Sequence, residues 1–417
     1  MAKTKSKTSK TKADTVDIVI AGAGYVGLAA AVAIAQGASG LSIVVVDAAP
    51  EGVWEKDGRA SAIAAAASRM LTEMSCWEHL EPHAQPMTEM IVTDSRASDA
   101  VRPVFLTFDG EVEDGEPFAH MIPNVELLRV LRQRAGEADI VIKQGTTIDG
   151  FDENDAGVTV KLGDGSQVEA ELLIAADGVR SRLRDHAGIK TVHWDYGQSG
   201  IVATVGHERD HGGQAIEHFL PAGPFAILPL KGNRSSIVWT EATQNADRLV
   251  AADALSFEME LEQRFGLHLG AIKLETTPRA YPLGLTLARD FVKSRFALVG
   301  DAAHGIHPIA GQGLNLGFKD VAALAQTVVE AHRNGQDIGT LDVLRAYERW
   351  RRFDTVQMGI TTDVLNRLFS NDMMPVRALR NIGLGIVDRM PFAKDFLIKQ
   401  AAGLSGDAPR LLRGEAL

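Results

Sequence analysis

Three clusters of residues carry types and spacings that could do chemistry: AGAGYVG near the start, AADGVRSRLR in the middle and GDAAHGIHPIAGQGLNLGFKD in the last third. In the first, Gly22 permits a tight turn, Gly24 lets backbone approach a pyrophosphate without an intervening side chain, and Gly27 allows a helix to pack close to a strand. Asp47 follows Gly27 by twenty residues, the spacing at which an acid accepts hydrogen bonds from a ribose diol. The middle cluster places Asp177 and Gly178 ahead of Ser181 and Arg184, a pattern suited to facing a ligand or to organising a loop. In the third, Asp301 is an acceptor-only carboxylate suited to a polyol hydroxyl. Gly311, Gly313, Leu314 and Asn315 follow at the opening of a helix.

These residues need a scaffold that brings them to one edge, and the flanking sequence supplies one. Val16–Ala21 reads as a buried parallel strand, Gly22–Gly27 as a tight turn and Leu28–Gln36 as an alanine-rich helix ending at Gly37. Leu41–Val46 reads as a second strand that delivers Asp47. Arg59, in DGRASAIAAAASRML, is expected to open another alanine-rich helix and to reach back toward a phosphate or the flavin edge. From Asp139 to Ala176 the pattern predicts a strand, a β-meander turning at Gly163–Ser166, and a return strand that presents Asp177. Phe296–Val299 is a further strand, running into Gly300 and Asp301 at the carboxyl edge where open α/β folds bind ligands. The helix expected from about Leu314 directs N-terminal amides and partial positive charge at whatever lies above it, which suits the anionic pyrimidine side of a reduced flavin. Taken in this order, the three clusters describe one ligand, FAD. A lone histidine in a turn is more often hydrogen-bonded than proton-carrying, and His304 is read so. His307, beside Pro308, is left between a structural role and positioning at the flavin face.

Composition limits the alternatives. A chain of 417 residues with 45% hydrophobic and 23% charged residues can bury a sizeable core and exceeds the usual single-core size, so two interlocked lobes are expected. A formal net charge of -11 argues against a nucleic-acid partner, which would need a basic face. The single cysteine, Cys76, cannot close an intramolecular disulfide and reads as a buried small hydrophobe. No Cys/His spacing suggests a metal, and no Ser/His/Asp arrangement suggests a nucleophile. The first twelve residues, MAKTKSKTSKTK, have nothing to bury and are expected to be disordered, with weak attraction to an anionic membrane surface as the alternative. The apolar run from Ile18 to Ala35 imitates a signal peptide or membrane span, but Gly22, Gly24 and Gly27 interrupt it where a strand turns into a helix. A soluble or peripheral protein is expected.

The three clusters resemble those of the FAD-dependent aromatic hydroxylases, the group that includes para-hydroxybenzoate hydroxylase. HPIAGQGLNLGFKDVAALA, YGQSGIVATV, HFLPAGPFAILPL, the YPL at Tyr281–Leu283, YERWRRFDT and TTDVLNRLFS narrow the resemblance to the ubiquinone-biosynthesis hydroxylases of the UbiH/UbiF/Coq6 type. It extends from about Val16 to about Gly403. The resemblance implies an α/β protein with an α+β substrate lobe: a Rossmann-like FAD-binding domain, a β-sheet substrate domain and a C-terminal helical segment. The expected boundaries are a basic tail over 1–14, a discontinuous FAD domain over 15–80, 120–190 and 280–335, a substrate domain over 81–119 and 191–279, and a helical region over 336–417. Gly22, Gly24, Gly27, Asp47 and Arg59 would serve the ADP half of the cofactor, and Asp177 is a further cofactor-binding candidate. Asp301, Gly311, Gly313, Leu314 and Asn315 would serve the ribityl chain and ring.

The implied reaction uses reduced FAD and dioxygen to form a C4a-hydroperoxide that hydroxylates a polyprenylated phenol, with NAD(P)H or a separate reductase supplying electrons. The protein's part is to position the phenol and exclude water. His307 and Pro308 are the candidates for flavin-face positioning. Phe219, Phe225 and Leu228, in the alternating stretch Tyr196–Trp239, are candidates to line the substrate pocket. A cytoplasmic setting, with peripheral contact at the inner face of the membrane and membership of a ubiquinone-biosynthesis complex, is consistent with this reading. Oligomeric state is left open. The alternatives are another flavin oxidoreductase on this fold, such as a soluble phenol hydroxylase or an isoprenoid reductase, and a non-catalytic member of such a complex.

Overall fold

The computed structural model describes residues 14–94, 104–109, 111–113, 115–307, 311–369, 398–399, 401–404 and 406–417. The lysine-rich tail and Pro308 therefore lie outside the described residues. The chain enters through β1 (Ile18–Ala21), turns into α1 (Tyr25–Gly37) and returns through β2 (Ile43–Asp47). It continues through β3 (Ala60–Ala64), α2 (Ala65–Glu73), β4 (Glu89–Asp94), α3 (Asn124–Glu137) and β5 (Val141–Gln144). After a meander it forms β6 (Leu172–Ala175), then the long β7 (Thr191–His207), β8 (Gln214–Leu220), β9 (Gly223–Leu230) and β10 (Arg234–Ala242). Helix α4 (Ala254–Phe265), β11 (Arg279–Ala288), β12 (Phe296–Leu298), α5 (Gln312–Arg333) and α6 (Leu341–Phe369) complete the order used below.

Two sheets organise these elements. In the first, strands β5, β2, β1, β6 and β12 lie side by side and parallel, and an antiparallel edge strand, Val292–Lys293, follows β12. The sequences of β1 and β6 are apolar without alternation because both faces of a parallel sheet are covered; every residue of both strands is buried. The covering layers are legible in the core, which contains Leu28, Leu127 and Phe318 from helices and Phe151, Val160 and Leu162 from the meander. Each such side chain contributes about 1.5–3 kcal/mol of burial free energy. The register aligns the strand ends: Ala21 lies opposite Val46 and Ala175, and Ala175 lies opposite Leu298. The loops after these strands thus emerge at one carboxyl edge, and they carry the three clusters.

The second sheet is largely antiparallel, with β11, β7, β10, β9, β8 and β4 in that order and Val104–Asp109 beyond β4. One of its faces is sealed by α4, where Phe225, Trp239, Phe257 and Phe265 pack together and the Arg264 guanidinium lies 4.2 Å from the centre of the Trp239 ring. The other face looks toward the carboxyl edge of the parallel sheet. Strand β11 contributes to this sheet, pairing with β7 from Thr191 opposite Ala288 to Val202 opposite Arg279.

Arg59 does not open a helix. The segment after it is strand β3, paired antiparallel with Ala119–Pro123, and helix α2 starts only at Ala65. Alanine favours helix locally, but tertiary pairing overrides that weak preference. The outer edge of β3 is satisfied by Asn315, whose side chain accepts from the Ala64 N–H at 2.9 Å and donates to the Ala62 carbonyl at 2.9 Å. Among the described residues, no helix is long and apolar enough to cross a membrane.

Candidate active site

The glycine turn after β1 shows three different needs. Gly22 has φ +105°, and a Cβ there would collide with the Ala176 carbonyl oxygen. A Cβ on Gly27 would strike the Gly22 carbonyl oxygen, because α1 crosses close to the turn. Gly24 differs: its φ of -78° is open to any residue, and a Cβ would meet nothing within 4 Å. The protein itself gives no reason for a glycine at 24, whereas a pyrophosphate lying against that backbone would. Beside it, the Asp47 carboxylate accepts from the Ala23 N–H at 2.5 Å and the Ala49 N–H at 2.6 Å, which fixes the acid at the mouth of the turn.

Two cavities meet at this point. One, of about 570 Å³, is lined by Gly22, Gly24, Asp47, Asp177, Arg180 and Arg182. The other, of about 430 Å³, is lined at one end by Tyr25, Arg59, Asp301, Gly311, Gly313 and Leu314. Gly24, Ala176 and Gly178 line both, so Asp47 and Asp301 open onto one continuous cleft along the carboxyl edge. Asp301 is open to the cavity yet walled by protein; that enclosure raises its pKa, against the opposing pull of His304 and Arg59. Helix α5 begins at Gln312 after Gly311, whose φ of +64° is left-handed. First-turn N–H groups have no intrahelical partner, and those of Gly313 and Leu314 sit where the cavity wall is formed. The Asn315 side chain serves β3, as described above, and does not line the cavity.

Arg59 lines the cavity that Asp301 lines and not the Asp47 cavity. Its guanidinium pairs with Asp57 through Nε at 2.8 Å and Nη2 at 2.8 Å, and lies 5.4 Å from the Tyr281 ring centre. Tyr25 donates its hydroxyl to the same carboxylate at 2.5 Å. The result is a preorganised cation whose carboxylate partner is itself held from both sides.

The middle cluster faces the cleft through Asp177, Gly178, Arg180 and Arg182 and organises it through Ser181 and Arg184. Ser181 caps the short helix Arg182–His186, accepting from the Arg184 N–H at 3.0 Å. The buried Arg184 guanidinium donates to the Val179 and Ala302 carbonyls at 3.1 and 3.0 Å. The loop after β6 is thereby tied to the loop after β12. Asp320, on α5, ties the latter loop from below. Its carboxylate accepts from the Gly300 N–H at 2.9 Å, lies 2.5 Å from His304 Nε2 and accepts from Arg351 Nε at 2.9 Å. Burial pushes the Asp320 carboxyl upward, but His304 and Arg351 together hold it below the usual range. His304 is thus a buried, bonded residue.

His307 is equally buried, but neither ring nitrogen has a hydrogen-bond partner among the described residues. It lines the cavity, stands edge-on to Tyr196 with ring centres 5.3 Å apart, and burial lowers its pKa to about 4. It is therefore a neutral imidazole with hydrogen-bonding capacity to spare, which in a buried position calls for a ligand.

The far wall of the cavity is the second sheet: Val202, Glu217, Pro224, Ala226, Leu228, Val238 and Thr240, with Met87 and Met90 beside it. Leu228 stands where the alternating pattern suggested. Phe225 does not: it is one residue out of phase with Pro224 and Ala226, so it points to the opposite face and packs in the α4 core. Phe219 shares the face of Glu217 but sits further along β8, in a separate apolar group with Val92 and Leu106. Sequence reasoning missed Glu217, Thr240, Met87 and Met90. For Glu217 a signal existed, since it interrupts the run AIEHFL at an inward position of a strand.

A parallel sheet whose carboxyl edge carries a glycine turn and two spaced acids, facing an apolar wall on a second sheet, defines a two-lobed flavoprotein. The chain belongs to the FAD binding domain family, which matches residues 15–356, and within it to the group of ubiquinone-biosynthesis hydroxylases. It is 43% identical over 408 residues to ubiquinone hydroxylase UbiL of Rhodospirillum rubrum, covering 96% of this chain and 93% of that protein. It is 31% identical over 394 residues to 3-demethoxyubiquinol 3-hydroxylase of Escherichia coli K12, covering 93% and 98%. The fold is also that of p-nitrophenol 4-monooxygenase PnpA from Pseudomonas putida, with a TM-score of 0.78 at 19% identity over 94% of this chain and 99% of that one. A Klebsiella pneumoniae HpxO variant complexed with FAD gives a TM-score of 0.74 at 20% identity, with coverage of 94% and 99%.

Proposed function

We propose that this protein is an FAD-dependent monooxygenase that hydroxylates the aromatic ring of a polyprenylated phenol in ubiquinone biosynthesis. The observation that carries the reading is the continuity of one cleft from Asp47, past Gly24, to Asp301 and onto the apolar wall of the second sheet. The full-length likeness to a ubiquinone hydroxylase narrows the substrate class. When bound, FAD supplies the activation of dioxygen: one oxygen atom enters a ring C–H bond and the other leaves as water, with two electrons drawn from NAD(P)H or a separate reductase.

Every other part belongs to the chain. Asp47 and the Gly22–Gly24 backbone hold the adenosine and pyrophosphate, with Asp177 beside them, and Gly27 keeps α1 close enough for its N-terminus to face the phosphates. Asp301 accepts from the ribityl chain. The first-turn amides at Gly313 and Leu314 direct partial positive charge at the electron-rich edge of the ring, which stabilises negative charge there. Arg59, at the same end, adds a cation. Val202, Ala226, Leu228 and Val238 present an apolar surface that orients a phenol and excludes water, and exclusion of water keeps the activated oxygen for the ring. His307, neutral and without a hydrogen-bond partner among the described residues, offers a hydrogen bond at the flavin end without introducing charge. The Lys-rich tail, through attraction to an anionic surface, would aid delivery of a polyprenyl substrate from a membrane.

The test is turnover with purified, FAD-loaded protein, a phenol bearing a short prenyl chain, and NADH, NADPH or photoreduction of the flavin as the electron source. Oxygen consumption that depends on the phenol, matched by a product heavier by one oxygen atom in mass spectrometry, is the expected result. Reduction of oxygen to hydrogen peroxide with no hydroxylated product would sink the proposal, and colourless protein that takes up no added FAD would favour a non-catalytic role.

A further inference from the structure

We propose that the Glu217 carboxyl grips the ring hydroxyl of the phenolic substrate and so sets how the ring lies in the cavity; this deepens the monooxygenase reading and rests on it. The geometry begins with a row of directly opposed residues across the second sheet: Val92, Glu217, Ala226, Val238 and Val202. All share one face, since opposed residues on neighbouring strands point the same way. Along β8 itself the residues on that face are Ala215, Glu217 and Phe219. A single carboxyl thus stands in a field of aliphatic and aromatic side chains, and the wall around it is the wall of the cavity.

Glu217 is 4% exposed. Burial raises its pKa to about 8, with no charge or hydrogen bond from the described residues acting against it. The strands packed against β8 contribute Met90, Pro224, Ala226 and Leu228 to the cavity, none of them titratable. His218, the next residue, points to the opposite face, where its ring meets Thr93 at 2.5 Å. Among the described residues, the other titratable groups on the same cavity are Tyr25, Arg59, Asp301 and His307, on the side away from the second sheet.

Buried polar groups are nearly always bonded, and leaving a carboxyl unbonded among apolar side chains is costly. Leucine would fill the same position without that cost. A protonated carboxyl, however, offers one donor and one acceptor side by side. A phenol O–H can donate to its carbonyl oxygen, while the carboxyl O–H donates to the phenol oxygen or to an oxygen substituent beside it. The prenyl chain is then left to the thioethers of Met87 and Met90 and to Leu228, groups that adapt to an irregular apolar shape. A neutral acid also discriminates: it accepts a neutral phenol and disfavours a carboxylated ring, whose charge would be buried without a counter-ion.

The experiment is a binding titration of FAD-loaded protein with 2-geranylphenol, followed by the change in flavin absorbance, for wild type, Glu217→Leu and Glu217→Gln, from about pH 6 to about pH 9, where the phenol itself stays neutral. Glu217→Leu should weaken Kd about tenfold or more while FAD content and Tm hold. Glu217→Gln, which keeps a neutral donor and acceptor, should stay within about threefold of wild type at neutral pH. Wild-type affinity should fall as pH rises through about 8, because the ionised carboxylate no longer donates; the Gln variant should show no such fall. Undiminished binding by Glu217→Leu, or the same alkaline loss in Glu217→Gln, overturns the assignment alone. Wild-type protein that binds no prenylated phenol at any pH overturns the monooxygenase reading and this assignment with it.

Discussion

At the residue scale, the glycines of the first turn separate what folding requires from what a ligand requires. A Cβ on Gly27 would be driven into the Gly22 carbonyl, and one on Gly24 would enter open space. Gly27→Ala should therefore destabilise the fold by about 2–3 kcal/mol, the usual cost of forcing a methyl group into packed backbone. Gly24→Ala should cost less than about 1 kcal/mol, the difference between glycine and alanine at a helix N-cap, yet FAD affinity should fall about tenfold or more as the methyl meets the pyrophosphate. Thermal melts of the two apoproteins, alongside flavin content after purification, would read both. A Gly24→Ala protein that keeps its full flavin complement would remove the pyrophosphate from that position.

At the scale of elements, the loop after β12 depends on helices that arrive much later in the chain. Asp320 on α5 grips the Gly300 N–H and His304, and Arg351 on α6 grips Asp320. Removing one member of a buried charged group leaves the others unpaired, which typically costs about 3–5 kcal/mol, so Asp320→Ala should be severely destabilised. The pH dependence has a definite sign. Asp320 has a folded-state pKa below its ordinary value of 3.8, so its contribution is fully present above that value and is lost as pH falls through the lowered one. Chemical denaturation repeated at descending pH should show wild type losing more stability below about pH 4 than Asp320→Asn does. Equal acid sensitivity in the two would mean that the charge on Asp320 contributes nothing to holding the loop.

For the whole molecule, the cleft runs between the carboxyl edge of the parallel sheet and one face of the second sheet, and a ligand filling it would touch both. FAD bound at about one hundred times its Kd should add about 2.7 kcal/mol, which for a protein of this size raises Tm by several degrees. Melting the apoprotein with and without added FAD measures this. A Tm indifferent to saturating FAD would mean that the folded protein does not bind the cofactor in preference to the unfolded chain.

The local pattern determined a good deal. Apolar runs with no alternation, broken by glycines and ended by acids, require buried parallel strands that turn at one edge, and those strands formed close to the expected bounds. The turn glycines and Asp47 were legible because their demands are short-range: a positive φ, a close crossing, an acid at a strand tip. What lay beyond reach depended on partners far along the chain. Ala60–Ala64 became a strand because Ala119–Pro123 and Asn315 bond its two edges, which no window around Arg59 contains. Phe225 was placed in the α4 core and Leu228 on the cavity wall by the phase of the pleat, which is fixed only when neighbouring strands set their register. Glu217 stands out in its strand, but only the packed sheet buries it, as the one acid among the described residues of that wall, because burial is a property of the surroundings and not of the residue.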